Sequence, residues 1–452
     1  MTLDHDRILK RIFAKGIVAV SGYGAVRSAV RITSPGIMVA GRLYSYKAFN
    51  RVVVIGAGKA SFDMARGLEK VIGSRIDEGL VITKYGHGGR LKHIGVFEAA
   101  HPLPDKNGVA ATRRLLALAD GIDRRTLVIM LLSGGASALL VAPDGVLLRD
   151  KIKVTSLLLK AGASIDELNA VRKQLSKVKG GRLAGAFYPA TMVTLIISDV
   201  VGNRLDVIGS GPTVPDTSTP KQALDIIGRY GLEGNMPAAI MEQLLYKTDH
   251  APTRVPPSRA RNIIIADNRK AVHACAEGAA RLGLRPFVLT TTLRGEAREV
   301  AHVLSSIATG TAGKREKGGK GVCLISGGET TVTVKGAGKG GRNQELALSF
   351  AMDIAGEKGI TLLSAGTDGT DGPTDAAGAV VDGRTIDRML KAGMVPARYL
   401  SNNDSYTALD KVGALLKTGP TGTNVMDIQL ILIPPLKRGF KGDLMRQNLI
   451  AC

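Results

Sequence analysis

The chain contains no tryptophan, and its nine tyrosines and eight phenylalanines amount to only 4% of its residues. Stacking platforms for single-stranded nucleic acid are therefore scarce. Cysteine is nearly absent as well. Cys275, Cys323 and Cys452 show neither metal-like nor redox-like spacing, which argues against a disulfide framework and fits a reducing cytoplasm. No segment holds eighteen apolar residues free of charge, so no membrane-spanning helix is expected. The opening MTLDHDRILKRIF carries Asp4 and Asp6 early and has no apolar core before a small-residue cleavage site. It reads as an amphipathic helix and not as a secretory signal.

What is present points to a sizeable α/β protein. At 452 residues the chain is too long for one ordinary core, and two domains are the first expectation. It is 44% hydrophobic and 22% charged with 56 glycines, a balance that disordered chains do not have. The net charge of +22 is the one unusual bulk property. It suits a nucleic-acid binder, an enzyme of anionic substrates, or adaptation to heat or salt. Basic residues are interleaved with acids along the chain, so a basic surface on a heat-adapted enzyme outweighs a nucleic-acid-binding protein.

Short apolar runs alternate with helical patterns, the signature of parallel α/β layers. Strands are predicted at RVVVIGA (51–57), GLVITK (79–84), IGVFEA (94–99), TLVIMLL (126–132) and MVTLIIS (192–198). Helices fit between them. One of these, SIDELNAVRKQLSKVKGG, opens on a Ser164–Glu167 capping box and is expected to stop at Gly180-Gly181. The proline-rich stretch 246–261 is the best linker, dividing the chain into domains at 1–245 and 262–452. A second α/β series is expected to start with NIIIAD (262–267) and to continue with RPFVLTT (285–291) and GVCLISGGETTVTV. TGTAGKREKGGKG (309–321) reads as a surface loop.

The chemistry concentrates at strand ends. VVVIGAGKAS contains Gly56, Gly58 and Lys59, yet it is not a dinucleotide fingerprint. Ser61 stands where the third glycine belongs, and the next strand ends in Lys84 instead of an acid for the ribose. It is not a Walker loop either, because Ala60 follows the lysine. A strand-to-helix turn with a fixed charge, suited to an anion, is what survives; its bland alternative is a structural turn with a solvated lysine. SGGAS (133–137) and SGGET (326–330) both run an apolar strand into Ser-Gly-Gly. Gly134 and Gly135, or Gly327 and Gly328, let a phosphate approach the backbone, while Ser133, Ser137, Ser326 and Thr330 can donate to it. Purely structural turns explain each of them singly.

Asp199 follows a strong apolar strand in IISDVVGNRLDVIGSGPT, where it can accept a hydroxyl proton, help hold Mg²⁺, or merely cap a turn. Arg342, in GAGKGGRNQELAL, sits at a predicted helix start against the dipole, which marks it for a carboxylate or phosphate. TDGTDGPTDAAGA offers Asp368, Asp371 and Asp375 to a metal or simply to Asp-Gly turns. GPTGTNVMD (419–427) is a further ambiguous loop. His101, in EAAHPLPD, is the one histidine flanked by loop signals beside a strand end.

VVVIGAGKAS, HPLPD, LLSGGASALL, LNAVRKQLSKVKGGRLA, IISDVVGNRLDVIGSGPT, ISGGETTVTVKGAGKGGRNQELAL, SAGTDGTDGPTDAAGA and GPTGTNVMD occur in this order. Together they resemble the glycerate 2-kinases with a C-terminal MOFRL domain, over residues from about 8 to 434. The resemblance implies an N-terminal Rossmann-like parallel sheet with helices on both faces. It also implies a C-terminal mixed α/β domain with its MOFRL region at about 320–434, and an active-site cleft between the two. It implies transfer of phosphate from ATP, with Mg²⁺, to the 2-hydroxyl of D-glycerate, with Lys59, Asp199 and Arg342 as catalytic residues. The glycine-rich turns (Gly56, Gly58, Ser133–Gly135, Ser137 and Ser326–Gly328) are expected to cradle the nucleotide, with Asp199, Asp368 and Asp371 as metal candidates. A hydroxypyruvate reductase using NAD(P)H and a nucleic-acid binder are the rival readings. The partners expected are small molecules, without nucleic acid or membrane, and a homodimer is compatible with them.

Overall fold

The structure, a computed structural model, describes residues 2–250, 260–314 and 319–435. Two compact units divide it. One comprises Val18–Asp267 together with Thr421–Val425; the other takes residues up to Ile17, Asn268–Pro420 and Met426 onward. The predicted N-terminal helix forms at Thr2–Val20, with Leu9, Ile12 and Phe13 buried at helical spacing. Among the described residues no helix is long and apolar enough to cross a membrane.

The first unit begins with a small antiparallel sheet of β1 (Val30–Thr33), β2 (Gly36–Val39) and β3 (Arg42–Ser45). Its main sheet has six parallel strands: β4 (Arg51–Ala57), β5 (Glu78–Lys84), β6 (Gly95–Ala99), β7 (Thr126–Leu132), β8 (Thr191–Ile197) and β9 (Ala260–Ala266). Their spatial order is β6-β5-β4-β7-β8-β9, the doubly wound Rossmann arrangement in which strand order reverses between β4 and β7. Parallel strands covered on both faces read as unbroken apolar runs, and every residue of β7 is buried. Val53, Ile55, Val128, Met130 and Ile196 form part of this core.

The sixth strand corrects a sequence expectation. The stretch 262–267 does not open the second series; it pairs with β8 as the outer strand of the first sheet. A six-residue apolar run is legible as a strand, but its sheet is chosen by the partner edge it meets. The division therefore falls at Asn268, beyond the expected linker. Of that linker, residues 246–249 end the helix Ala238–Asp249, and 251–259 lie outside the described residues. The expected surface loop at 309–321 also differs. Its first residues continue the helix Ala297–Gly313, and 315–318 lie outside the described residues.

A helical layer of the first unit packs Leu148–Lys160, Ile165–Gln174, Pro220–Arg229 and Ala238–Asp249 around Val154, Leu158, Val171, Ile226 and Ile240. The Ser164–Glu167 capping box is formed in both directions. Its helix ends at Gln174, earlier than predicted, because residues 176–181 leave it to bond the 208–213 loop: Gly180 and Gly181 donate to the carbonyls of Ser210 and Gly211.

The second unit holds β10 (Arg285–Leu293), β11 (Val322–Gly328), β12 (Thr361–Gly366), β13 (Gly378–Asp382), β14 (Leu415–Leu416) and β15 (Asp427–Ile433). Their order is β10-β11-β15-β12-β13-β14, with β10 and β11 parallel and the remaining neighbours antiparallel. Helices Ala297–Gly313 and Arg342–Asp353 cover it, burying Leu304, Leu346, Phe350, Leu362 and Ile431.

Candidate active site

The turn after β4 is built against the turn after β7. Ser133 N–H donates to the Ala57 carbonyl, Lys59 N–H to the Gly134 carbonyl at 2.8 Å, and Ala60 N–H to Ser133 Oγ at 3.0 Å. A side chain at Gly58, whose φ is 134°, would place its Cβ 2.1 Å from Ser133 Oγ. The glycine is there so that the two turns can touch. Ser61 is fully buried, and its hydroxyl donates to the Gly58 and Ile82 carbonyls. This hydroxyl closes the turn at the position where a dinucleotide fold would carry its third glycine. Gly56 lies inside β4, buried between its neighbours. Gly56, Gly58 and the Ser133 hydroxyl are thus committed to packing and internal bonds. The side chain the turn presents is that of Lys59, only partly buried.

Several side chains converge on Gly134 and Gly135. A Cβ on Gly134 would lie 2.0 Å from Asp199 Oδ2 and 2.5 Å from Asn424 Nδ2. Only a glycine lets the carboxylate lie that close to the backbone. Asn424 Nδ2 itself donates to Asp199 Oδ2 at 3.2 Å. Beside Gly135, a Cβ would meet His101 Cδ2 at 3.0 Å and Lys59 Cγ at 3.2 Å. Among the described residues, the N–H groups of Gly134 and Gly135 donate to no protein acceptor. Two such donors, a lysine and a carboxylate therefore surround one spot at the carboxyl ends of β4, β7 and β8. This is where the strand order reverses, the usual ligand position in an open α/β sheet. Ser137 is placed differently from the expectation: its hydroxyl is 2.9 Å from Ser210 Oγ, which donates to Asn169.

Sequence reasoning passed over Asn424 and gave His101 no role. Asn424 comes from the 421–425 segment, which belongs to the first unit although the strand after it belongs to the second. No local signal announces such a return. For His101 the loop signals beside β6 were the available hint.

The second unit carries a separate ionic cluster. Arg342 is the first residue of the helix Arg342–Asp353. Its Nε and Nη2 grip Asp427 bidentately at 2.6 and 2.9 Å, and Nη1 reaches Glu329 at 2.9 Å. Burial works against the charge, but Asp427 and Glu329 outweigh it and hold the guanidinium firmly protonated. The conflict between this arginine and the helix dipole is resolved by these acids and by Asp371, which accepts the N–H groups of Asn343 and Gln344. Desolvation, reinforced by Asp427, raises the Asp371 carboxyl to about 6.

Two expectations change here. Ser326, Gly327 and Gly328 do not form a strand-to-helix turn. They lie in β11, paired with Gln429, Ile428 and Asp427 of β15, and Ser326 Oγ donates to Gln429. Asp371 spends both oxygens on a helix start, and Asp368 accepts from the N–H and hydroxyl of Thr370 in a local turn. Among the described residues no group of three or more His, Cys, Asp and Glu side chains is arranged to hold a metal. Mg²⁺ does not require one, since one or two carboxylates with phosphate oxygens and water complete its shell. Asp199, partly exposed beside the N–H donors of Gly134 and Gly135, fits that requirement.

Comparison with known proteins agrees with this architecture. The model of DUF4147, a domain of unknown function, matches residues 8–245, and that of the MOFRL family matches 322–427. The chain is 46% identical over 389 residues to a D-glycerate 2-kinase of Thermotoga maritima, covering 85% of this chain and 91% of the relative. It is 40% identical over 444 residues to a glycerate 2-kinase of Pyrococcus horikoshii, covering 97% and 99%. The crystal structure of the Thermotoga maritima glycerate kinase superposes with a TM-score of 0.82 at 44% identity, covering 95% of this chain and 99% of that one. With both family models, both relatives and the superposed fold in accord, this chain belongs to the family of glycerate 2-kinases that carry a C-terminal MOFRL domain.

Proposed function

We propose that this chain transfers the terminal phosphoryl group of ATP to the 2-hydroxyl of D-glycerate, giving 2-phosphoglycerate and ADP. The observation that carries the reading is the convergence of Lys59, Asp199 and the N–H groups of Gly134 and Gly135 at the reversal of strand order. Phosphoryl transfer needs positioning and charge stabilisation more than covalent help, and these parts supply both. Lys59 opposes the charge on the moving phosphoryl group, and the two N–H donors hold its oxygens. Asp199 is oriented by Asn424 and pressed against Gly134, placed either to take the 2-hydroxyl proton or to hold Mg²⁺. When bound, Mg²⁺ supplies charge neutralisation on the phosphates.

Arg342 is our choice for the glycerate carboxylate. Its Asp427 edge is locked, whereas Nη1 meets the half-exposed Glu329, whose carboxylate a substrate carboxylate can replace in kind. The reductase reading has no structural support in the turn after β4, where Ser61 is buried and bonded and β5 ends in Lys84. An ADP-release assay over a panel of small hydroxy acids tests the proposal, with the phosphate position in the product read by NMR. Release of ADP with D-glycerate and a phosphate on C2 is the expected result. ATP-independent consumption of NAD(P)H with hydroxypyruvate would overturn it.

A further inference from the structure

The motif LNAVRKQLSKVKGGRLA contributes none of the residues assigned above, yet it buries an unusual amount of positive charge. Lys173 and Lys179 are 5% and 0% exposed, and Lys151 from the neighbouring helix is 3% exposed. Some of this charge is answered. Asp216 lies 3.9 Å from Lys173 and 3.6 Å from Arg182, and Asp144 pairs with Lys247 at 2.6 Å. Three cations are not answered in this way. Lys151 Nζ donates to the Leu175 carbonyl at 3.0 Å. Lys179 Nζ and Arg172 Nη2 both donate to the Ser137 carbonyl, at 2.9 and 3.2 Å. Arg172 Nε is buried with no hydrogen-bond partner among the described residues. Among the same residues, none of the three makes an ion pair with a carboxylate.

Burying a cation without a counter-charge is costly, and burying three together compounds the cost by mutual repulsion. The effect is visible on their protonation. Burial, aided by Arg172 and Lys247 and opposed by Asp144, brings Lys151 down to about 7. Burial, with Arg172 and Lys151 adding to it, pushes Lys179 well below its ordinary value. A purely structural role would be served as well by apolar side chains of similar volume. The acceptor that Lys179 and Arg172 share is the informative feature. Ser137 lies in the same Ser133–Ser137 stretch whose Gly134 and Gly135 N–H groups have no protein acceptor among the described residues.

We infer that Arg172, Lys179 and Lys151 form the cationic support of an oxyanion bound on the Ser133–Ser137 turn, with Arg172 positioning that turn through the Ser137 carbonyl. The oxyanion is either a phosphoryl group of the nucleotide or the carboxylate of the hydroxy acid. This rests on the kinase reading for the identity of the ligand, but not for the existence of an anion site. An oxyanion there favours the protonated amines that burial alone disfavours.

The test is thermal unfolding of the full-length chain, alone and with inorganic tripolyphosphate, ADP or D-glycerate. In Lys179→Met, Arg172 still satisfies the Ser137 carbonyl while one buried amine is gone. Its unliganded Tm is expected to equal or exceed that of the parent by about 2–4 °C. Its ligand-induced rise in Tm is expected to fall by half or more. Loss of the tripolyphosphate and ADP shifts assigns the site to phosphate; loss of the glycerate shift assigns it to carboxylate. Arg172→Gln keeps a donor for Ser137 without the charge and should weaken the same ligand's shift, while Arg172→Lys should restore part of it. A lower unliganded Tm in Lys179→Met with all three shifts at parental size would overturn the inference. Should Lys179→Met not fold, parental shifts in Arg172→Gln would overturn it equally. These readouts need no turnover. A chain that binds tripolyphosphate but makes no 2-phosphoglycerate would sink the kinase reading alone, and an active kinase with unaltered shifts would sink this one alone.

Discussion

Ser-Gly-Gly occurs twice, at 133–135 and 326–328, each time after an apolar strand, and the two copies do opposite things. In the first unit the strand stops at Leu132, and the two glycines leave the sheet with their N–H groups released from it. Asp199, Asn424, Lys59 and His101 gather around them. In the second unit the same three residues remain inside β11, bonded in register to β15. Their neighbours are Asn268 and Leu293, and the serine is used by Gln429. The residues C-terminal to each copy account for the difference. Ala136–Leu139 can coil immediately into a short helix, whereas β-branched Thr330–Val334 favour extended chain. The antiparallel partner β15 then runs the full length of β11 and holds the glycines in the sheet. A ligand turn needs backbone donors that the sheet has released.

The comparison can be broken most directly at its glycines. Gly134→Ala drives a methyl group into Asp199 and Asn424, so kcat/KM should fall about a thousandfold, the scale of misplacing an acid–base group. Its Tm should move little. Gly327→Ala instead meets Asn268 Oδ1 at 2.1 Å and Val272 at 2.7 Å, and should lower stability by about 1–3 kcal/mol with the residual folded enzyme near normal. Denaturant unfolding together with steady-state kinetics separates the two, and a reversed pattern would show that the roles are misassigned.

The charged residues give the next contrast. Lys59→Ala should cost at least about a hundredfold in kcat/KM, or roughly 2.7 kcal/mol of transition-state stabilisation, with unfolding almost unchanged. Arg342→Ala should be comparably inactive and also about 3–5 kcal/mol less stable, because it strands the fully buried Asp427. Near-parental kinetics in either variant would remove that residue from the mechanism.

Smaller effects are expected at the two serines. Ser326→Ala removes a buried bond to Gln429 and should cost about 1 kcal/mol of stability with no change in kcat. Ser133→Ala frees the Ala60 N–H and should cost about as much, but with a measurable loss of activity because the Lys59 turn is loosened.

A further contrast is a pH slope in the second unit. Asp371 binds its proton more tightly folded, near pH 6, than unfolded, near its ordinary value of 3.8. Between those values the folded state holds more protons, so stability falls as pH rises through this window and is flat above it. Asp371→Asn should remove that component of the slope when urea midpoints are compared from pH 4 to 7.

Much of the first unit is legible in the residues alone. β4 and β7 begin and end where their apolar runs do, and the Ser164–Glu167 box forms as its spacing requires. Lys59 is identifiable because both familiar phosphate-binding patterns fail at nameable positions, Ser61 and Ala60. The departures from expectation share one cause. The strand at 260–266, the second Ser-Gly-Gly and Asp371 each have a recognisable local pattern, but their roles depend on which distant segment lies alongside.

By itself, the sequence determined the strands of the first unit's main sheet, several of its helices, the family and the residue types able to meet an anion, because periodicity, capping and turn chemistry act within a few residues. Only the tertiary structure decided which glycines leave the sheet, that Asn424 donates to Asp199 across 225 positions, and that Arg172 and Lys179 share one carbonyl. Those facts come from edge pairing and burial. Both are properties of surfaces that meet only after the chain has folded, and no local window contains them.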